Sequence, residues 1–243
     1  GCNGGVVLTA SHNPKEYNGY KAYWSDGGQL ISPHDKNVVA EVAKIESIDD
    51  VSFEADPSLI EMIGDDMDQA YLKTLKEISL LDTEIIKSSN LKIVFSSIHG
   101  TGITLIPRAL KALGFQGVAI VEEQADPDGN FPTVVYPNPE EKEAMSMALK
   151  QGEAKGADLI LATDPDADRV GIAVKNTNGE YQLLNGNQTG SLLIYYLVIK
   201  WKEKGLKGNE FVAKTIVTTE LIKDIAVKNQ IKCYDTLTGF KFI

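Results

Sequence analysis

The chain has 243 residues, 43% of them hydrophobic, and a formal charge of −10 at neutral pH, enough apolar sequence for one or two domains with a real core. That charge excludes a general polyanion binder, since nucleic-acid surfaces need an extended basic stripe. The longest apolar run, Leu192 to Ile199, is less than half of the ~20 residues a membrane-spanning helix requires.

The first strand candidate is Val6 to Leu8, and it runs into Thr9-Ala10-Ser11-His12-Asn13-Pro14. Pro14 biases Asn13 away from helix, which puts Ser11 on an ordered turn at a strand end. In α/β sheets such carboxyl ends are where ligands bind. Ser11 either caps this turn or carries a phosphoryl group. The second role needs neighbours that manage its proton and offset phosphate charge, and His12 and Lys21 are the candidates. Each has a plainer reading, a turn hydrogen bond for His12 and a solvated strand position for Lys21.

Helical periodicity follows over Asp35 to Ile45 and Asp65 to Leu81. Beyond the polar stretch Asp82 to Asn90, strands are predicted at Ile93 to Phe95 and Val118 to Val121, with helices over Ile103 to Leu113 and Glu140 to Gln151. The intervening Ser96 to Gly102 segment either cradles a phosphate at a helix start or contains glycine for backbone reasons alone.

The next strand, Leu159 to Leu161, leads into Thr163-Asp164-Pro165-Asp166-Ala167-Asp168-Arg169. Carboxylates at alternate positions can turn toward one cation, and magnesium favours a few carboxylates plus a phosphate oxygen. An EF-hand needs glycine and glutamate where this chain has Arg169 and Lys175, so that reading fails. A solvated acidic turn is the plain alternative. Arg169 offers a guanidinium suited to phosphate, or a salt bridge to a loop aspartate. Further strands are predicted at Val170 to Val174, Phe211 to Ala213 and Ile216 to Thr218, and helices over Gln188 to Lys204 and Thr219 to Val227.

Short strands alternating with helices imply α/β architecture around mixed, mostly parallel sheets. Breaks at Asp82 to Asn90 and around Asn178-Gly179-Glu180 and Asn185-Gly186-Asn187 divide the chain into pieces 1–84, 85–183 and 184–243. The outer two are too short for complete α/β domains, so the chain reads as truncated at both ends. Two cysteines without close spacing, Cys2 and Cys233, fit a reducing, cytoplasmic setting.

The six-residue serine string, continued by Asn18-Gly19-Tyr20-Lys21-Ala22-Tyr23, resembles the phosphoserine loop of the α-D-phosphohexomutases. Asp164 to Arg169 is similar to that family's metal loop, and Thr236-Leu237-Thr238-Gly239-Phe240-Lys241 to its sugar-approaching third-domain loop. Segments Asn13 to Lys21 and Ile31 to Lys36 look closest to the phosphoglucomutase-2 and phosphopentomutase branch.

The resemblance implies successive three-layer α/β domains: the end of domain 1, all of domain 2 and the start of domain 3. It also implies that hexose 1-phosphate and 6-phosphate are interconverted through phosphoserine Ser11 and a sugar bisphosphate of the glucose 1,6-bisphosphate type. Mg2+ would be held by Asp164, Asp166, Asp168 and Ser11, with His12 and Lys21 handling protons. Arg169 would face the phosphoryl group, and Lys21, Arg169, Gly239 and Lys241 would contact the phosphosugar. No counterpart of the family's Gly-Glu-x-Ser-Gly or Arg-x-Ser-Gly-Thr loops is present, so the isolated chain is expected to lack full activity. Three alternatives stay open: a phosphopentomutase, a phosphatase using Asp164 as nucleophile and Asp166 as acid, and an inactive metal-binding fragment. No nucleic-acid or membrane partner is expected, and the oligomeric state is left open.

Overall fold

The computed structural model describes residues 2–243. The chain begins with an antiparallel hairpin, β1 (Gly4–Leu8) and β2 (Tyr20–Trp24), in which Val7 pairs with Lys21 and Leu8 with Tyr20. Residues 9–19 form its loop, closed at the neck by Thr9 N–H donating to the Gly19 carbonyl at 3.1 Å. A Cβ at Gly19 would lie 1.9 Å from the Thr9 carbonyl oxygen, so only glycine permits this approach. The apolar side chains Val6, Val7, Leu8 and Trp24 are exposed. The hairpin is therefore fixed by what its loop touches, not by a core of its own.

Helices α1 (His34–Val42), α2 (Asp65–Ile78) and α3 (Thr83–Ser88) lead to the central sheet. The stretch read as a break at Asp82 to Asn90 contains α3, whose first turn is capped by the Asp82 carboxylate accepting from the Glu84 and Ile85 amides. Helix α2 is tied to helix α4 (Gly102–Ala112) by Arg108, which donates to both Asp65 and Asp68.

The central sheet has the order β4-β3-β5-β6-β7, from β3 (Lys92–Ser96), β4 (Gly117–Ile120), β5 (Leu159–Thr163), β6 (Val170–Lys175) and β7 (Tyr181–Leu184). Strands β4, β3 and β5 are parallel, and β6 and β7 are added antiparallel. Helix α4 (Gly102–Ala112) joins β3 to β4, and α5 (Ser146–Lys155) leads from β4 back to β5 on the other side of β3. Because the winding direction reverses, right-handed crossovers place these helices on opposite faces, giving three layers.

Period-two alternation then sorts the side chains. Val94, Ile160, Ala162 and Ala173 form one core with Met145 and Ala148 on the α5 side, whereas Phe95 and Leu161 lie beside Ile106 of α4. The helix expected over Glu140 to Gln151 begins only at Ser146, after hydrogen-bonded turns, and runs to Lys155, where Gly156 at φ 61° ends it. The Asn178-Gly179 turn lies inside this sheet, joining β6 to β7.

The last piece holds α6 (Gly186–Lys204), β8 (Phe211–Thr215), α7 (Glu220–Lys228) and β9 (Lys232–Thr236), with β8 and β9 parallel. Its core is Val198, Val212, Ile222, Ala226 and Ile231. Asn185 and Gln188 cap α6 reciprocally, each side chain bonding the other's backbone N–H. Ile216 to Thr218 is a turn and not the predicted strand: Thr218 N–H returns to the Thr215 carbonyl, and the Thr215 and Thr218 hydroxyls pair at 2.8 Å. Among the described residues, no helix is long and apolar enough to cross a membrane.

Candidate active site

The carboxyl ends of β3 and β5 flank the point where the sheet reverses direction, and the loops leaving these two strands meet there. Thr101 donates through its N–H and its hydroxyl to the Pro165 carbonyl, at 2.8 and 3.0 Å. A Cβ at Gly100 would fall 2.4 Å from Pro165 Cα, so this glycine lets the two loops stack. The amides of His99, Gly100 and Thr101 are already used, by the carbonyls of Gln124, Ser97 and Pro165 respectively. Of the two readings of Ser96 to Gly102, this favours backbone packing over a phosphate cradle.

Gln124, fully buried, braces the same loop. It accepts from Ser96 Oγ at 2.6 Å, and its side-chain amide donates to Thr133. The imidazole of His99 lies between the Asp126 carbonyl and the Thr133 hydroxyl. Nothing in the sequence singled out this network, because its members are spread over 96–133 with no common spacing.

Asp164, Asp166 and Asp168 each offer a carboxylate oxygen, all within 4.8 Å of one another. Ala167 between them adopts φ 60°, a left-handed turn that folds the loop back on itself. Asp164 has no solvent exposure, and its two oxygens accept from Ser11 Oγ at 3.0 Å and Arg169 N at 3.0 Å. Burial, reinforced by the neighbouring Asp166, pushes its pKa up to about 6 despite those two bonds. Burial acts on Asp166 in the same sense, but Lys21, the neighbouring Asp164 carboxyl and the Thr9 hydroxyl together outweigh it and hold this carboxyl below the usual range.

The serine loop reaches this cluster from the far side. Ser11, at φ 55°, has its Oγ 3.2 Å from His12 Nδ1. Burial and the Arg169 charge lower the His12 pKa. Lys21 Nζ bonds Asp166 Oδ2 at 3.0 Å and Asp168 Oδ2 at 3.3 Å. Partial burial lowers the Lys21 pKa, but these carboxylates outweigh it and the net shift is upward. Thr9 Oγ1, which the sequence reading passed over, donates to Asp166 Oδ2 at 3.0 Å.

Six of the nine predicted site residues, Ser11, His12, Lys21, Asp164, Asp166 and Asp168, are thus joined by direct contacts. Arg169 contributes its backbone amide, and its exposed side chain makes no ion pair among the described residues. Lys241 instead pairs with Asp35 at 3.7 Å, after Gly239 at φ 125°.

The donor set fits a hard divalent cation. Asp166 Oδ1 is buried with no hydrogen-bond partner among the described residues, and the three carboxylates converge beside a serine hydroxyl. When bound, such an ion would be held by Asp164, Asp166 and Asp168 with Ser11, and would supply positive charge to a phosphoryl group.

Comparison with known proteins agrees with this architecture. The family model for phosphoglucomutase/phosphomannomutase alpha/beta/alpha domain I matches residues 1–49, that for domain II residues 69–179, and that for domain III residues 185–243. A phosphoglucomutase of Staphylococcus haemolyticus is 39% identical over 240 residues, covering 98% of this chain and 43% of the relative. A human phosphopentomutase is 36% identical over 250 residues, 98% of this chain and 40% of the relative. The chain thus spans about two fifths of these relatives.

Among solved structures, a phosphoglucomutase/phosphomannomutase family protein from Burkholderia thailandensis shares the fold with a TM-score of 0.70 at 19% identity, over 98% of this chain and 46% of the other. Aspergillus fumigatus N-acetylphosphoglucosamine mutase, solved with GlcNAc-6P and magnesium, shares it at 0.61 and 16% identity, over 98% and 56%. With the three domain matches falling in family order along one chain, the protein belongs to the phosphoglucomutase/phosphomannomutase family.

Proposed function

We propose that Ser11 is the phosphoryl carrier of a phosphosugar mutase, and that the protein containing this chain interconverts hexose 1-phosphate and hexose 6-phosphate. The observation behind this reading is the 3.0 Å bond from Ser11 Oγ to Asp164, made across 153 residues of chain, which sets a serine nucleophile against a carboxylate cluster suited to Mg2+. Phosphoserine Ser11 gives its phosphoryl group to a sugar hydroxyl, the bisphosphate turns over, and the serine recovers the other phosphoryl group. Phosphoryl transfer gains mainly from positioning and charge stabilisation.

Proton roles follow from charge. With its pKa lowered, His12 is neutral at pH 7 and accepts a proton from an attacking hydroxyl. Lys21, held protonated by Asp166 and Asp168, supplies one to a leaving oxygen. Arg169, exposed at the end of the acidic loop, is assigned to the transferring phosphate, and Gly239 and Lys241 to the sugar. We place the enzyme in the cytoplasm and take a sugar bisphosphate as its intermediate.

The phosphatase alternative is disfavoured because both oxygens of Asp164 are engaged in hydrogen bonds, from Ser11 Oγ and the Arg169 amide. The phosphopentomutase reading shares every step and differs only in the sugar, and relatives carry both names. The test is the intact mass of the protein after glucose 1,6-bisphosphate and Mg2+. Gain of one phosphoryl group, stable to hydroxylamine and abolished by Ser11→Ala, is expected. A hydroxylamine-labile label on Asp164 would overturn the mutase reading. Glucose 1-phosphate against ribose 1-phosphate turnover, assayed on this chain and on the longer protein, separates hexose from pentose preference.

A further inference from the structure

We infer that Thr9 is a positioning residue whose single hydroxyl clamps the serine loop to the acidic loop, fixing the Ser11 backbone and the Asp166 carboxylate together. The inference rests on the proposed cation site only in its second readout. The Ser11 amide donates to Thr9 Oγ1 at 2.8 Å, and Thr9 Oγ1 is 3.0 Å from Asp166 Oδ2. An amide can only donate, and a hydroxyl has one proton and two lone pairs, so the directions are forced: Thr9 accepts from Ser11 and donates to Asp166.

Both partners need such a restraint. Ser11 stands at φ 55°, a conformation a non-glycine residue keeps only when its surroundings over-determine it. Asp166 receives Thr9 and Lys21 on the same oxygen, Oδ2, which leaves Oδ1 buried and without a partner among the described residues. Rotating that carboxylate away would break both bonds. Thr9 itself is anchored by its amide to Gly19, so the clamp is rigid at its base. Because the hairpin's apolar side chains are exposed, few other contacts can take over this task.

Lys21 restrains Asp166 through charge but makes no bond to Ser11. Among the described residues, Thr9 is the one that bonds both the carrier backbone and a carboxylate. Removing the hydroxyl should therefore alter two separate readouts at once.

The test compares Thr9→Val, which keeps the branched shape and loses the hydroxyl, with Thr9→Ser, which keeps the hydroxyl. Hydrogen exchange of the Ser11 amide is measured without metal, and Mn2+ alone is titrated by calorimetry, with melting curves reporting that each variant folds. Thr9→Val should speed Ser11 exchange about tenfold and weaken Mn2+ about tenfold, the usual scale for losing a group that orients a ligand. Thr9→Ser should stay within about threefold of wild type on both.

Ser11 exchange within about twofold of wild type in Thr9→Val, or a Thr9→Ser as impaired as Thr9→Val, overturns the clamp. Faster exchange with unchanged Mn2+ affinity overturns its reach to Asp166. If wild type binds no Mn2+, the cation reading fails, and Ser11 exchange alone then decides the clamp.

Discussion

Lys21 and Asp166 stand 145 positions apart, yet Lys21 Nζ lies 3.0 Å from Asp166 Oδ2, with Asp168 Oδ2 next at 3.3 Å. The ammonium is thus the nearest fixed positive charge of the acidic cluster in the metal-free protein. Lys21→Met should destabilise that form by ~1 kcal/mol, the scale of a partly exposed ion pair with two acceptors. The loss should shrink at saturating Mg2+, which supplies the same countercharge. Urea titrations with and without Mg2+ measure both, and an equal loss in the two would contradict this account.

On the proposed cation site, proton and cation compete for Asp164. Its pKa, raised to about 6 in the folded protein, exceeds the ~3.9 of an unfolded aspartate. This group's contribution to stability is therefore full below about pH 4 and lost as pH rises through about 6. Asp166, whose pKa is depressed, acts oppositely, its contribution being present above the ordinary value and lost at lower pH. A cation offsets the cost of ionising Asp164. The rise in Tm on adding Mg2+ should be large near pH 8 and fall away below about pH 6. A shift independent of pH over that range would refute the assignment.

Stacking of the two loops depends on Gly100. Gly100→Ala drives a methyl against Pro165 backbone atoms at 2.4 and 2.7 Å, which should cost ~1–3 kcal/mol and weaken Mn2+ binding by displacing the acidic loop. Gly129→Ala, with nothing within 4 Å of its added Cβ, is the matched control and should change neither. Denaturant midpoints and calorimetry read the pair.

Arg108 holds α2 against α4 through Asp65 and Asp68. Arg108→Gln should expose α2 to limited proteolysis, with cleavage concentrated between residues 50 and 90, while Ser11 phosphorylation proceeds as in wild type. Mass spectrometry of the fragments locates the cut. An unchanged digestion pattern would show that α2 is held by other contacts.

Legibility tracked the range of the interactions involved. The strands β1, β3, β5, β6 and β8 were readable because each is an apolar run ending in a turn. Strand β9 (Lys232–Thr236) was missed because its burial alternates weakly, and it is specified by pairing with β8. Ile216 to Thr218 has strand-like composition, but hydroxyl pairing between Thr215 and Thr218 closes a turn there. Helix α3 hid in a polar stretch because its definition comes from the Asp82 cap and not from an apolar face.

The sequence by itself determined the chemistry on offer: a serine beside a histidine on one loop and three alternating aspartates with an arginine on another. These groups are close along the chain, so spacing and local turn preferences suffice to present them. Tertiary structure decided which of them meet. That Ser11 bonds Asp164, that Lys21 neutralises Asp166 and Asp168, that Thr9 bridges the two loops and that Lys241 pairs with Asp35 all depend on strand order and loop docking. Contacts across well over a hundred residues leave no local periodicity to read, because their energy is realised only once the sheet brings the loops together.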